Sequence, residues 1–87
     1  MDAFTKEDTK RILLQAQEDF ALDPVEMAVI LTGSKKGYGT YKKWISSGSE
    51  LRKPTASVLA HLETLYDQYK RSPVQFKKRL KNRAHGP

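Results

Sequence analysis

Helix-start signals recur along the whole chain, and they constrain its fold more than any other feature. Each combines a residue that can cap a helix with a proline or an acidic residue close by: Thr5 with Asp8, Asp23 with Pro24, Pro54 with Thr55, and Ser72 with Pro73. A capping side chain accepts hydrogen bonds from the free N–H groups of a first turn, and proline's missing donor does no harm there. No stretch alternates apolar and polar residues as a strand would. The sequence therefore predicts an all-α fold.

Apolar residues at helical spacing place five helices between these signals. The predicted spans are, in chain order, residues 6–20, 24–32, 40–47, 54–71 and 73–84. Gly33 and Gly48 are expected to end the second and third helices, because glycine readily adopts the left-handed conformation of a helix C-cap. The last residues, from His85 to Pro87, are expected to fray. The whole chain, residues 1–87, is therefore predicted to form a single domain of five helices.

The connection between the second and third helices contains Gly33, Gly37 and Gly39. Three glycines so close together predict a turn whose backbone adopts conformations closed to other residues. The segment also resembles a phosphate-binding loop. It has neither a Gly-Lys-Ser/Thr ending nor a preceding strand, so a nucleotide site is not expected.

Charge is distributed unevenly along the chain, which carries a net charge of +6. Residues 1–31 hold three basic and seven acidic residues, net −4, whereas residues 32–87 hold 13 basic and three acidic residues, net +10. A lysine or arginine set against a phosphate releases condensed counterions, so a basic region favours binding to nucleic acid. A solvated lysine-rich surface is the alternative.

The third predicted helix has two faces of different chemistry. Tyr41, Trp44 and Ile45 follow helical spacing and indicate a packed side, whereas Lys42 and Lys43 point to the other side. Tyr41 and Trp44 are interpreted as core residues, with contact to DNA as the alternative. Lys42 and Lys43 are interpreted as DNA contacts, because lysine can reach guanine acceptors or phosphates, with simple solvation as the alternative.

Composition argues against several classes of protein. The chain has no cysteine, so it must fold on its apolar core, and hydrophobic residues make up 38% of it. Few apolar side chains are left to line a catalytic pocket, so an enzyme is not expected. His61 has no second histidine at ligand spacing, and no metal or other cofactor is predicted. Apolar runs are too short to cross a membrane and an acidic residue follows Met1, so a cytoplasmic protein is expected.

Several short segments occur in an informative order. They are MAVILTG at Met27–Gly33, TYKKW at Thr40–Trp44, then Gly48, and RKPT at Arg52–Thr55. In this order they resemble the lambda-repressor-like (XRE-type) helix-turn-helix family, over about residues 5–70. That family has a small alanine in its first motif helix, a glycine at the turn, a tryptophan near the end of the recognition helix, and then a glycine and an arginine–proline pair. Small phage-encoded regulators, including those encoded beside anti-CRISPR genes, are similar in size.

The resemblance implies a helix-turn-helix core at about residues 24–48, whose second helix enters the major groove of DNA. Base contacts are expected from residues on and just before that helix: Tyr38, Gly39, Thr40, Lys42 and Lys43. Phosphate contacts, which position a protein without reading sequence, are expected from Lys35, Lys36, Arg52, Lys53 and Thr55.

These features predict a sequence-specific regulator of transcription that binds double-stranded DNA, a repressor of phage or bacterial type. One recognition helix offers only three or four base-reading side chains, so a homodimer on two half-sites is expected. The apolar stripe of the fourth helix and the side of the fifth that carries Val74, Phe76 and Leu80 form the candidate interface. The alternative is that the fifth helix only completes the core.

Two other functions are open at this point. A small basic protein-binding module, an inhibitor or adaptor, would use the same helical scaffold to engage an acidic partner. RNA binding through the basic fifth helix is the third possibility. A DNA regulator should bind the DNA upstream of its own gene far more tightly than random duplex. A protein-binding module should show only weak, salt-sensitive binding to any DNA.

Overall fold

The computed structural model describes residues 4–85 and confirms the all-α class and the five helices. The helices are α1 (Lys6–Asp19), α2 (Pro24–Thr32), α3 (Tyr38–Trp44), α4 (Ala56–Arg71) and α5 (Pro73–His85). Short 3-10 turns at Lys35–Gly37 and Gly48–Glu50 flank α3. The radius of gyration, 12.5 Å, is close to the roughly 12 Å of a single domain of this length.

Side-chain caps begin α1 and α2 where the sequence predicts, whereas α4 begins at Ala56, two residues later than predicted, because Thr55 is its N-cap. Thr5 and Asp8 form a reciprocal capping box at the start of α1, with N···O distances of 3.0 and 3.1 Å. Asp23 forms a second box with Glu26 at the start of α2, with distances of 2.8 and 2.7 Å. Thr55 caps α4. Each box satisfies N–H groups that a helix leaves free in its first turn.

The short helix α2 lies at the centre of the fold and contacts α3, α4 and α5. Met27 and Ala28 are fully buried, and Ile30 and Leu31 nearly so, whereas Val25 at the start of the helix is exposed. A helix this apolar has almost no face suited to water, so the other helices pack around it. Gly33 ends it in the left-handed conformation, at φ +88°.

An aromatic cluster joins the end of α1 to α4 and α5. The ring centroid of Phe20 lies 4.9 Å from that of Tyr66, 5.5 Å from that of Tyr69 and 5.2 Å from that of Phe76. The tilted and edge-on geometries are those that aromatic pairs prefer. Tyr66 also donates a hydrogen bond of 2.7 Å to the carboxylate of Asp19. These contacts hold α4 and α5 against α1.

The fifth helix completes the core of the chain. Phe76 and Leu80 are 2% and 1% exposed, and Ala84 is also buried, because α5 packs on α2 and α4. The side of α5 that carries Phe76 and Leu80 is therefore occupied within the chain, and its assignment to a dimer interface was wrong. Val74 alone of that trio stays exposed.

The predicted fraying of the last residues was wrong for His85. That residue belongs to α5, and its ring nitrogen contacts the carboxylate of Glu26. A charged or hydrogen-bonding partner at the end of the helix gives its last turn a tertiary contact, which the sequence alone did not indicate. Gly86 and Pro87 lie outside the described residues.

The third helix begins two residues earlier and ends three residues earlier than predicted. Its last carbonyls are taken by groups outside the helical ladder: the Arg52 backbone N–H donates to the carbonyl of Lys43 at 2.8 Å, and the Ser46 hydroxyl donates to that of Lys42 at 2.6 Å. Gly48 has a φ of +67° but lies in the following 3-10 turn and does not end α3.

The prediction of unusual backbone conformations at all three turn glycines was wrong for two of them. Only Gly33 has a positive φ, and Gly37 and Gly39 have ordinary conformations. At Gly37 the reason for glycine is steric, since a Cβ there would overlap the side chain of Thr32. Gly39 lies within α3 itself.

Candidate nucleic-acid interface

Two aromatic residues anchor the inner face of α3. Tyr41 is fully buried and Trp44 is 6% exposed, with their rings edge-on at 5.9 Å. The Tyr41 hydroxyl donates a 2.5 Å hydrogen bond to the side chain of Gln17 in α1, and burial raises the pKa of that hydroxyl. The interpretation of both residues as core is confirmed, and contact between the Tyr41 ring and DNA is excluded in this fold.

The opposite face of α3 points outward. Helical spacing places Gly39 and Lys43 on this outer face and Lys42 and Thr40 at its two edges, whereas Tyr38, three residues before Tyr41, lies beside the inner face and packs against the core. Lys42 and Lys43 are exposed and Tyr38 is half-buried. The ammonium of Lys42 lies 5.4 Å from the centroid of the Tyr38 ring, a cation–π geometry. Most of the predicted base contacts thus share one surface.

Glycine at position 39 serves neither the conformation nor the packing of the folded chain. Its φ is not in the left-handed region, and a Cβ built on Gly39 would meet nothing within 4 Å. Glycine inside a helix costs about 0.5–1 kcal/mol relative to alanine. The missing side chain leaves the helix backbone uncovered in the middle of the outer face. A partner can approach the backbone closely at this point.

The predicted phosphate contacts lie on both sides of α3 along the chain. Lys35 and Lys36 are exposed in the 3-10 turn that leads into the helix. Arg52 is exposed after it, and its guanidinium donates to the carbonyls of Ser49 and Leu51 at 2.8 and 3.2 Å. Together with its backbone bond to the end of α3, this fixes the position of Arg52 relative to that helix.

The two remaining residues predicted to contact phosphate, Lys53 and Thr55, are more constrained by the fold. Lys53 is half-buried. The Thr55 hydroxyl accepts a hydrogen bond from the backbone N–H of Val58 at 3.3 Å, so it serves as the N-cap of α4. A hydroxyl that accepts this bond can still donate its own proton to a phosphate oxygen. The structure therefore shows a folding role for Thr55, and its phosphate contact stays a prediction.

The electrostatic character of this region is strongly positive. Residues 35–53, which we call the basic segment, contain six lysine or arginine residues and a single acidic one, Glu50. Lys35, Lys36, Lys42 and Lys43 make no ion pair with any residue in the range 4–85. Lys10 of α1 reaches the same region and donates to the hydroxyl of Ser47 at 3.4 Å. The surface presents unneutralised charge.

Sequence reasoning missed a buried carboxylate on α2. Glu26 is 4% exposed and is contacted by Lys81 at 3.0 Å and by His85, both from α5. Burial raises the pKa of Glu26, but the Asp23 N–H, Lys81 and His85 outweigh it and lower the pKa to about 2. The only signal was the capping pattern from Asp23 to Glu26, which places Glu26 in a first turn without revealing its partners on α5.

A surface groove also lies away from α3. An open groove of about 690 Å³ lies on α1 and α4 and is lined by Phe4, Asp8, Arg11, Ile12, Gln15 and Tyr66. Its one carboxylate, Asp8, is held by the capping box and by Arg11, and the hydrogen bond from the Thr5 backbone lowers its pKa. The Asp8 carboxylate in this groove is thus ionised and already bonded to Thr5 and Arg11.

Over residues 4–85, no group of three or more His, Asp or Glu side chains is arranged to hold a metal ion. No helix within that range is both long enough and apolar enough to span a bilayer.

Comparison with known proteins identifies no relative of this chain: no family model matches it, and no curated protein or solved structure is significantly similar. The resemblance to the helix-turn-helix family thus stays a prediction.

Proposed function

We propose that this chain binds double-stranded DNA through the outer face of α3, as a sequence-specific transcriptional regulator of the lambda-repressor-like type. The observation that carries the proposal is the outer face itself, where exposed lysines that form no ion pair within residues 4–85 lie beside an uncovered glycine. α2 and the glycine-bearing turn would then serve as the first part of a helix-turn-helix. The buried side chains of Tyr41 and Trp44 hold α3 against the core, and a recognition helix needs such a fixed position.

The dimensions of α3 suit the major groove. A helix with its side chains is about 10–12 Å across, and the groove, about 12 Å wide, admits one helix. Lys42 and Lys43 would donate to the O6 and N7 acceptors of guanine, and the Tyr38 and Thr40 hydroxyls would donate to or accept from base edges. Close approach of the backbone at Gly39 brings these side chains within reach.

The flanking basic residues would hold α3 in place. Lys35 and Lys36 precede the helix and Arg52 follows it, so both ends of the helix have a cation that can meet a phosphate. Such contacts set register and orientation but carry no sequence information. They also make affinity fall steeply with salt, because each neutralised phosphate releases counterions.

Dimeric binding forms part of the proposal. Each good contact between a side chain and a base contributes about 1–3 kcal/mol of discrimination against the wrong base. Because α3 offers only a few such contacts, two copies on neighbouring half-sites would supply the specificity that one copy lacks. Bound across a promoter, such a dimer would act as a repressor. The surface joining the copies would differ from the buried side of α5.

The test compares binding of the DNA upstream of the chain's own gene with binding of random duplex, by fluorescence anisotropy. K42A/K43A should lose the preference for the upstream DNA with melting temperature nearly unchanged, because exposed substitutions usually alter stability by less than about 0.5 kcal/mol. K77A/K78A removes the same charge from an adjacent lysine pair on α5 and is the matched control. Full specific affinity in K42A/K43A would overturn the proposal.

A further inference from the structure

A second basic surface contains an apolar pocket outside the proposed DNA interface. The pocket has a volume of about 320 Å³ and lies between α5 and the connection that follows α1. We call it the α5 pocket, and its lining residues are Phe20, Ala21, Val74, Lys77, Lys78 and Lys81. None of these residues belongs to the basic segment.

The apolar part of the α5 pocket is unusually exposed for a chain with a small core. Val74 is 66% exposed, the highest value among the exposed large hydrophobic residues. Ala21 has a φ of +57° and is the one non-glycine residue between positions 4 and 85 with a positive φ. Glycine would adopt this conformation without the strain that a Cβ causes, but the alanine methyl gives the pocket an apolar wall.

Lysines surround this apolar surface in a regular way. Lys77, Lys78 and Lys81 follow Val74 at positions i+3, i+4 and i+7, so all four residues lie along one side of α5. Lys81 is fixed, since its ammonium donates to the Ala21 carbonyl at 3.2 Å and to Glu26 at 3.0 Å. Lys77 and Lys78 form no ion pair with the described part of the chain.

We propose that the α5 pocket binds an acidic peptide segment of a partner protein, with one apolar side chain of that segment in the pocket. The carboxylates of the segment would pair with Lys77 and Lys78. Charge complementarity selects an acidic ligand, and the apolar lining selects a protein over a nucleic acid, because a phosphate backbone has no apolar group to bury beside Val74. The site would let a DNA-bound regulator engage a second protein.

The first experiment is an NMR titration of the isotopically labelled full chain with the blocked peptide Asp-Asp-Glu-Leu-Glu-Asp. We expect amide shifts confined to residues 20–22 and 74–81. The same peptide with serine in place of leucine should bind about tenfold or more weakly, because burial of a leucine side chain is worth at least that factor. Equal affinity of the two peptides, shifts centred on residues 35–53, or no binding at millimolar concentration would each overturn the proposal.

Variants separate this site from the DNA interface. K77A/K78A should weaken binding of the leucine peptide about tenfold, and Val74→Ser should remove the preference for leucine over serine. Neither change should unfold the chain, because Val74 and Lys78 are exposed and Lys77 is half-buried. K42A/K43A should bind the peptide as the unaltered chain does, so failure of the peptide site and failure of DNA binding are distinguishable. Unchanged peptide binding in K77A/K78A would overturn the proposal.

Two further measurements address other occupants of the pocket. Titration with random duplex DNA should leave the amides of residues 74–81 unshifted under conditions where the peptide shifts them. Sedimentation equilibrium of Val74→Ser and of the unaltered chain should give the same mass. A duplex that shifts these amides as the peptide does, or a dimer lost in Val74→Ser, would overturn the proposal in favour of nucleic acid or a second copy.

Discussion

At the scale of single residues, Gly39 offers a way to separate folding from binding. The folded chain gains nothing from glycine there, since neither a positive φ nor a close neighbour requires it. Gly39→Ala should stabilise the protein by about 0.5–1 kcal/mol, measured by urea unfolding. It should also weaken binding to the upstream DNA by about 1 kcal/mol or more, measured by anisotropy, because the new methyl group keeps the helix backbone from its groove contact.

Gly33 provides the control for this prediction. Its φ of +88° lies in the left-handed region, so Gly33→Ala should destabilise the fold by about 1–2 kcal/mol. The two alanine substitutions should thus change stability in opposite directions. A Gly39→Ala variant that is more stable and binds DNA with unchanged affinity would show that α3 does not approach DNA closely at this residue.

At the scale of secondary-structure elements, Glu26 connects α2 to α5 through Lys81 and His85. The folded-state pKa of Glu26 is about 2, below the ordinary value of 4.5, so its ionised form stabilises the fold. That contribution is complete above about pH 4.5 and is lost as the pH falls toward 2. We therefore expect the unfolding free energy to decrease across this range, as measured by urea titrations at several pH values.

Variants assign this acid sensitivity to the contact between the two helices. Glu26→Gln should be less stable than the unaltered chain at pH 7 and should show a shallower loss of stability toward acid, because the ionised partner of Lys81 is gone. Glu63→Gln, on an exposed position of α4, is the matched control. Identical acid profiles for Glu26→Gln and the unaltered chain would contradict the role given to Glu26.

At the scale of the whole molecule, positive charge is concentrated after residue 31, most of it in the basic segment and in α5. Arg52 tests how the basic segment is used. Arg52→Ala should weaken specific and random duplex binding by similar factors. It should also make the slope of log affinity against log salt shallower by about one unit, because one phosphate contact is lost. Anisotropy across several salt concentrations measures both effects.

Arg71→Ala, at the exposed end of α4, removes the same charge outside the basic segment and should leave the salt slope unchanged. A selective loss of the preference for upstream DNA in Arg52→Ala would instead place Arg52 on a base. If Arg52→Ala left the affinities for both duplexes unaltered, the connection after α3 would not be part of the DNA interface.

The sequence by itself determined the helical class, the number of helices and the side of α3 that faces the core. Caps such as Thr5 and Asp23, and the spacing of Tyr41 and Trp44, act between residues at most a few positions apart. Interactions of this range are readable from the chain because the helix geometry that they create also fixes which residues share a face. The exposure of Lys42 and Lys43 followed from the same spacing.

Only the tertiary structure decided where α3 ends, why Gly37 is glycine and what α5 does. The bond from Arg52 to Lys43 and the crowding of Gly37 by Thr32 depend on how the connections fold back on the helices. The pairing of Glu26 with His85 joins residues 59 positions apart. Such contacts arise only when helices pack against one another. Helical periodicity shows that the face of α5 with Phe76 and Leu80 is apolar, but it does not show whether the same chain or a second copy covers that face.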